Sequence, residues 1–290
     1  MFKNITNQQI SRTIILIKSF LVIVLAFKLW EASGEGYHLI IDSQFFIFLL
    51  VGFIAEIVDG SLGMAYGVIS SSFLIFFGIP PIHASAGVHT SEVFTTGVSG
   101  LSHLHFQNVD KKLFFQIVIP GVIGSFIGAY ALSQLDDGGQ ALKPFISGYL
   151  LLVGVRLIVR QLQGDKAHIK PLKSTGLIGF MGGTLDAIGG GGWGPLVTST
   201  ILSRSGPQAR HVIGTVNTAE FFVTFASTGI FLFLVEVSFF NILLGLIIGG
   251  VVAAPLGAYI VKAVEHKWLI YIVGTVLILV SAFSIFNNIL

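Results

Sequence analysis

The stretch GFIAEIVDGSLGMAYG at residues 52–67 recurs about half a chain later as GFMGGTLDAIGGGGWG at residues 179–194. Asp59 of the first copy matches Asp186 of the second, and both copies lie within strongly apolar sequence. Charged side chains and helix-breaking glycines are tolerated inside a bilayer only where they line a site or a cavity. Two such segments predict a membrane transporter built from two repeated halves.

The composition of the chain indicates a multi-pass protein of the cell (inner) membrane. Of its 290 residues, 53% are hydrophobic and only 10% are charged, and the mean hydropathy is +0.88. Soluble domains carry about 25% charged residues. A net charge of +2 is too small to favour a nucleic-acid partner, and the absence of cysteine excludes disulfides and thiolate metal sites.

Four apolar stretches are too short to cross a bilayer, and they occur in two pairs. Each pair is split by one copy of the Gly-rich segment, with 44–58 before 62–78 and 174–188 before 193–203. A helix of about 15 residues reaches only ~22 Å, whereas the hydrocarbon core is about 30 Å thick. Each pair is therefore predicted to form a hairpin of two short helices that meet in a Gly-rich tip.

The charges of the loops predict the side from which each hairpin enters. Loops rich in Lys and Arg should be cytoplasmic, and these are the N-terminal tail, 105–112, 156–173 and 204–211. The loops poor in Lys and Arg should face outside, and these are 31–43, 135–140 and 235–238. This pattern fits two hairpins that enter from opposite faces, each followed by three spanning helices.

The predicted fold is an all-α polytopic membrane protein with two inverted-topology repeats, each a re-entrant-like helical hairpin plus three transmembrane helices, preceded by one extra N-terminal helix. The chain forms one integral membrane domain with a cytoplasmic N-terminus and an extracytoplasmic C-terminus. Its parts are an N-terminal helix and outer loop at 1–43, repeat 1 at 44–161, a cytoplasmic linker at 162–173 and repeat 2 at 174–290. The alternative is a pair of parallel repeats with ordinary full crossings.

The second half of the chain carries a resemblance to a known family. DAIGGGGWGPLV at 186–197, followed by GTVNTAEF at 214–221, resembles the sulfite exporter TauE/SafE family of membrane transporters. GIPPIHASAGVHTSEV at 78–93 fits as well, whereas DGSLGMAYGVIS, from Asp59, lacks the consecutive glycines of the family pattern. The resemblance implies movement of small anions such as sulfite or organosulfonates, and the departure leaves the particular anion open.

The Gly-rich tips are the predicted substrate site, and the two tips are expected to meet near the middle of the bilayer. A helix N-terminus offers free N–H groups and about half a positive charge, which suits an anion. Hydroxyl and amide side chains can hold an oxyanion without a fixed cation, although small residues also serve helix packing. The candidate substrate-binding residues are Gly60, Ser61, Gly63, Ser70, Ser71, Thr90, Ser91, Gly189, Gly190, Gly191, Gly192, Thr198, Ser199, Asn217 and Thr218.

Acids within both repeats are candidate proton carriers. A charge at the centre of the bilayer costs at least about 2.5–3.5 kcal/mol, so burial favours the protonated acid. Glu92 and Glu220 occupy related mid-helix positions where no cap is needed, whereas Asp59 and Asp186 alternatively cap the amides of their tips. His89 lies three residues before Glu92, and we expect the two side chains to form a pair.

The function expected from these features is secondary transport of a small anion by alternating access, with protons as the expected coupling ion and sodium as the alternative. The predicted partners are the anion and the lipid bilayer. No metal is predicted, because no histidine spacing matches a metal site. No cofactor and no enzymatic activity are predicted either. A passive anion channel is a rival function, although no continuous ring of polar residues is evident. An intramembrane aspartyl protease built on Asp59 and Asp186 is a weaker one, because nothing marks a peptide groove.

Overall fold

The computed structural model describes residues 5–34, 41–135, 143–163, 174–202, 209–235 and 239–260, with further helical residues between 271 and 286. Every regular element in these ranges is a helix. The helices are α1 Asn7–Gly34, α2 Ser43–Leu62, α3 Tyr66–Phe76, α4 Pro81–His105, α5 Lys111–Ser133, α6 Lys143–Gln163, α7 Thr175–Gly189, α8 Ser199–Leu202, α9 Ala209–Leu234 and α10 Phe240–Ile260. A π-helical turn, Gly194–Thr198, precedes α8.

The helices have the lengths and surfaces of a multi-pass membrane protein. Five segments are long and apolar enough to cross a bilayer, namely Asn7–Glu31, Ser43–Leu62, Lys111–Ser133, Arg210–Leu234 and Phe240–Gly257. α4 has 25 residues, but it is rich in Ser, Thr and His, and most of its side chains are buried. Large apolar side chains instead cover the outside of the bundle. The all-helical membrane class predicted from composition is therefore confirmed.

One of the four predicted short helices is longer than expected. The sequence predicts a helix at 44–58, but α2 has 20 residues and, at about 30 Å, is long enough to cross a bilayer. It continues through Asp59, Gly60 and Ser61 and stops only at Gly63, whose left-handed backbone cannot extend the helix. α3 with 11 residues, α7 with 15 and the π-turn with α8 are short, as predicted.

The two halves of the chain pack against each other reciprocally. α2 of the first half packs on α10, and α7 of the second half packs on α5, which is the helix equivalent to α10. A Cβ added at Gly52 of α2 would lie 2.5 Å from the carbonyl oxygen of Leu246, and one at Gly179 of α7 would lie 2.6 Å from that of Ile117. Glycine allows such close contact between membrane helices. The repeat visible in the sequence is thus present as two halves with matching contacts.

Candidate functional site

Each Gly-rich segment ends its helix in the same way. Gly63 ends α2 with φ +67°, and Gly190 ends α7 with φ +65°. The N–H of Gly63 donates to the carbonyl oxygen of Asp59 at 2.6 Å, and that of Gly190 donates to the carbonyl oxygen of Asp186 at 2.7 Å. Glycine adopts this left-handed conformation at little cost, and it is the usual residue at such a helix end.

The side chain of each aspartate then holds the turn that follows. Oδ1 of Asp186 accepts hydrogen bonds from the N–H groups of Gly192 at 2.7 Å and Trp193 at 3.0 Å. Oδ1 of Asp59 accepts a longer one, 3.4 Å, from the N–H of Tyr66. Capping, one of the two interpretations drawn from the sequence, is what the geometry displays. The caps also occupy backbone amides that the predicted substrate site would need to keep free for an anion.

The two tips touch each other in the interior of the protein. The hydroxyl of Thr198 donates to the carbonyl oxygen of Gly63. A Cβ added at Gly190 would lie 2.9 Å from Cβ of Ser71, and one added at Gly67 would lie 2.6 Å from the carbonyl oxygen of Gly190. All five residues are buried. The tips are therefore packed backbone against backbone, and their glycines are required for this approach.

The predicted substrate residues differ in what they offer a ligand. Gly60 and Ser61 lie inside α2, so their predicted place at the tip is wrong: the helix runs on to Gly63 and uses their backbone groups. Five of the predicted hydroxyls donate to carbonyl oxygens of their own helix, namely those of Ser61, Ser71, Thr90, Ser91 and Thr218. Such bonds leave the hydroxyl oxygen able to accept but not to donate.

Two of the predicted polar groups can still form a hydrogen bond with a ligand. The hydroxyl of Ser70 and Oδ1 of Asn217 are buried and have no hydrogen-bond partner among the described residues. Gly189 is the last residue of α7, and Gly191 lies against the backbone of Val68 in the opposite tip. The side chain of Ser199 lies outside the described part of the structure.

Five carboxylic acids converge on the region around the tips. They are buried, with at most 2% of each residue exposed, and lie within electrostatic range of their neighbours: Glu56, Asp59, Glu92, Asp186 and Glu220. No Lys or Arg in the described ranges is buried with them. An unpaired buried charge is costly, and no buried Lys or Arg side chain in the described ranges would balance these acids if they ionised.

His89 connects the two halves at this point. Its Nδ1 lies 2.8 Å from the carbonyl oxygen of Ser85, and its Nε2 lies 3.1 Å from Oδ2 of Asp186. The predicted pairing with Glu92 is therefore replaced by a hydrogen bond to the other half of the chain. Glu92 nonetheless stays close, because one donor atom from each of His89, Glu92 and Asp186 lies within 4.8 Å of the other two.

Two comparisons with known proteins identify relatives of this chain. A family model described as Sulfite exporter TauE/SafE matches residues 48–284, which include both tips and all five acids. The chain belongs to the sulfite exporter TauE/SafE family. The probable membrane transporter protein YtnM of Bacillus subtilis (strain 168) is 44% identical over 251 residues, which are 83% of this chain and 83% of that protein. No solved structure matches the chain.

Membership of the TauE/SafE family makes this chain a membrane transporter, as the sequence predicts, and no catalytic family is indicated. The geometry also gives no support to the aspartyl protease. Asp186 directs one oxygen to two backbone N–H groups and the other to His89. This is a capping role, whereas a protease pair would share a proton between two aspartates.

Two aromatic residues anchor the tips of this TauE/SafE protein and were not predicted from the sequence. The hydroxyl of Tyr66 lies 3.1 Å from Oγ of Ser91 and 3.2 Å from the carbonyl oxygen of Leu246. The indole N–H of Trp193 donates to the carbonyl oxygen of Val216 at 3.3 Å. Both rings are fully buried. The matching place of these two aromatic residues in the two copies is the signal that could have identified them.

Proposed function

We propose that this protein is a secondary transporter of small anions, sulfite or organosulfonates, which works by alternating access and couples anion movement to protons. The observation that carries the proposal is the meeting of two aspartate-capped tips, one from each half, within a buried core of hydroxyls and acids. Broken helices that meet inside the membrane are a common way for transporters to form a substrate site. The family description supports sulfite or a related anion.

The proposed anion site lies beside the two tips. Ser70 supplies a buried hydroxyl with no partner in the described part of the chain. Asn217 supplies an amide whose Nδ2 makes two long contacts, 3.3 Å to Oγ of Ser99 and 3.5 Å to the carbonyl oxygen of Asp59, and can turn to a ligand. These contacts replace the free helix amides, which Asp186 occupies.

Proton coupling follows from the charge of the core. Two like charges about 4 Å apart repel by roughly 4 kcal/mol at an effective dielectric constant near 20, so an anion cannot enter beside ionised acids. Glu92 and Glu220 each keep one carboxyl oxygen without a partner in the described ranges. Protonation of these groups removes the repulsion, and the binding of proton and anion then favour each other reciprocally.

The proposed membrane arrangement keeps the boundaries expected from the sequence. Repeat 1 at 44–161 and repeat 2 at 174–290 are inverted relative to each other, with the N-terminus inside and the C-terminus outside. The reciprocal packing of α2 on α10 and of α7 on α5 supports two equivalent units. A hairpin that returns to its own side, followed by three crossings, inverts each unit relative to the one before it.

Cysteine labelling tests this arrangement, since the natural chain contains no cysteine. Phe77 follows the first hairpin, Arg210 is the second residue of α9 after the second hairpin, and both side chains are exposed. We expect Phe77→Cys to react with an impermeant maleimide from outside the cell and Arg210→Cys only after the membrane is opened. Reaction of both cysteines from one side would instead indicate parallel repeats.

Replacement of the mid-helix acids tests the coupling. In proteoliposomes, wild-type protein should take up sulfite saturably, with faster uptake when unlabelled sulfite is present inside, which a channel would not show. Glu92→Gln and Glu220→Gln mimic the protonated acid, so we expect sulfite exchange to persist and uptake driven by a pH gradient to be lost. Glu31→Gln, at an exposed position of α1, is the matched control and should behave as wild type.

Two results would contradict this proposal. Normal pH-driven uptake in both Glu92→Gln and Glu220→Gln would remove these acids from coupling. Uptake that requires sodium and ignores the pH gradient would show that a cation other than the proton neutralises the core.

A further inference from the structure

α4 and α9 are equivalent helices with a fixed register. The hydroxyl of Thr96 donates to the carbonyl oxygen of Glu92 at 2.5 Å, and that of Thr224 donates to the carbonyl oxygen of Glu220 at 2.9 Å. The same hydrogen bond at the same spacing shows that the two glutamates occupy matching positions. Residues three before each glutamate must therefore match as well.

That register makes His89 of α4 the counterpart of Asn217 of α9. Each of them reaches the aspartate-capped tip of the opposite half. His89 contacts the carboxylate of Asp186 at 3.1 Å, whereas Nδ2 of Asn217 lies 3.5 Å from the backbone carbonyl oxygen of Asp59. Oδ2 of Asp59 has no partner in the ranges that the structure describes. The two halves thus differ at a matching position from which a side chain crosses to the other tip.

The hydrogen bonds of His89 fix how many protons this contact contains. A carbonyl oxygen only accepts, so Nδ1, at 2.8 Å from the carbonyl oxygen of Ser85, carries a hydrogen. Nε2 and Oδ2 of Asp186 are both acceptors unless one of them is protonated. Their 3.1 Å contact therefore holds one further proton, either on the imidazole or on the carboxyl group. An asparagine amide neither gains nor loses a proton in this range of pH.

We propose that the His89–Asp186 pair is the proton-loading site of this transporter and that the Asn217–Asp59 half has no equivalent site. The proposal rests on the proposed function, since a loaded proton is moved only by a transporter. The proton sits between the two halves, so a movement that separates the tips must break its hydrogen bond. Breaking the Nε2–Oδ2 contact exposes the proton to transfer, which links proton release to the change of access.

The surroundings of the pair are acidic. The titratable groups within electrostatic range of Asp186 are Glu92 on α4, Asp59 on α2, Glu220 on α9 and Tyr149 on α6, and Glu56 on α2 and Tyr66 on α3 lie next to these acids. The described parts of α10 present no acid or base to the pair.

The dependence of thermal stability on pH tests the site without any substrate. The folded pair holds the Nδ1 hydrogen and the bridging proton, whereas an unfolded chain above about pH 6.5 holds only the imidazole hydrogen. Because the folded state binds one more proton, its stability must fall as pH rises, by up to about tenfold in the folding equilibrium constant per pH unit. We expect this fall in purified wild-type protein as the pH rises above about 6.5, the ordinary value for an unfolded histidine, and a shallower one in His89→Asn.

His89→Asn keeps an N–H donor to Asp186 and introduces the residue that the other half has at the matching position, Asn217. His105→Asn, the same change at an exposed position of the same helix, is the control and should keep the wild-type slope. Equal slopes for wild type and His89→Asn would overturn the proposal. A second result would also overturn the proposal. If sodium chloride stabilises wild-type protein more than choline chloride does, if this difference is lost in His89→Asn, and if wild-type stability does not depend on pH, the site binds a cation instead of a proton.

Transport separates this proposal from the broader one. In proteoliposomes with sulfite, His89→Asn should keep exchange and lose uptake driven by a pH gradient. Retention of pH-driven uptake in His89→Asn would overturn the proton site. If wild-type protein moves no sulfite while its pH slope still depends on His89, the proposed substrate is wrong and the proton site stands.

Discussion

Gly191→Ala is expected to abolish transport by forcing the two tips apart. A Cβ at this position would lie 2.6 Å from Cα of Val68 and 2.8 Å from the carbonyl carbon of Gly67. Both are backbone atoms of the opposite tip, so no side chain can turn away to relieve the contact. Overpacking of a well-filled interior costs about 1–3 kcal/mol or more. The backbone of Gly191 is not left-handed, so the effect arises from contact and not from its conformation.

Thermal unfolding of purified protein and sulfite exchange in proteoliposomes measure this effect. Gly229→Ala in α9 is the control, because a Cβ there would have no atom within 4 Å, and alanine favours a helix over glycine by about 1 kcal/mol. We expect Gly229→Ala to be as stable as wild type or more so. Wild-type exchange and melting temperature in Gly191→Ala would show that the tips are not in close contact.

Asp186→Ala is expected to be the most destabilising change to a polar side chain in the core. It leaves the N–H groups of Gly192 and Trp193 and Nε2 of His89 without their partner. Each buried group left unsatisfied costs about 1–3 kcal/mol, so we expect a loss of roughly 3–5 kcal/mol in the free energy of unfolding. Asp186→Asn should keep most of that stability, because its oxygen accepts from both N–H groups and its amide donates to His89.

The two substitutions at Asp186 therefore separate the capping role from the proton. Asp186→Asn should fold and lose pH-driven uptake, whereas Asp186→Ala should melt far below wild type. Asp110→Ala is the control for loss of an aspartate cap, because Asp110 caps α5 at a more accessible position and its loss should cost only about 1 kcal/mol. Equal melting temperatures for Asp186→Ala and Asp186→Asn would contradict the assigned hydrogen bonds.

Local features of the site were the ones that could be predicted. The sequence identifies the repeated segment, the Gly-rich tip within each copy and the capping role of the aspartates as one of two alternatives. The end of α2 was placed too early, because Gly60 was interpreted as a helix breaker although a single glycine inside a packed helix costs only about 1 kcal/mol. The boundary was instead set by Gly63, whose conformation depends on how the chain turns towards the opposite tip.

The pairing of His89 was wrong for a different reason. Spacing along a helix reveals only neighbours on the same helix, and Glu92 is such a neighbour. Asp186 is 97 positions away in the sequence, and a contact over that distance is determined by how α4 and α7 pack. The close approach of Gly191 to Val68 is of the same kind.

By itself the sequence determined the membrane class, the two repeated halves and the family, because composition, hydrophobic length and internal repetition depend on the order of residues alone. Only the tertiary structure decided that the tips touch and that five acids share one buried region. It alone decided that His89 and Asn217 break the symmetry between two otherwise matching halves. The physical reason is that these contacts join the two repeats, and the packing of one repeat on the other follows from side-chain shape rather than from spacing along the chain.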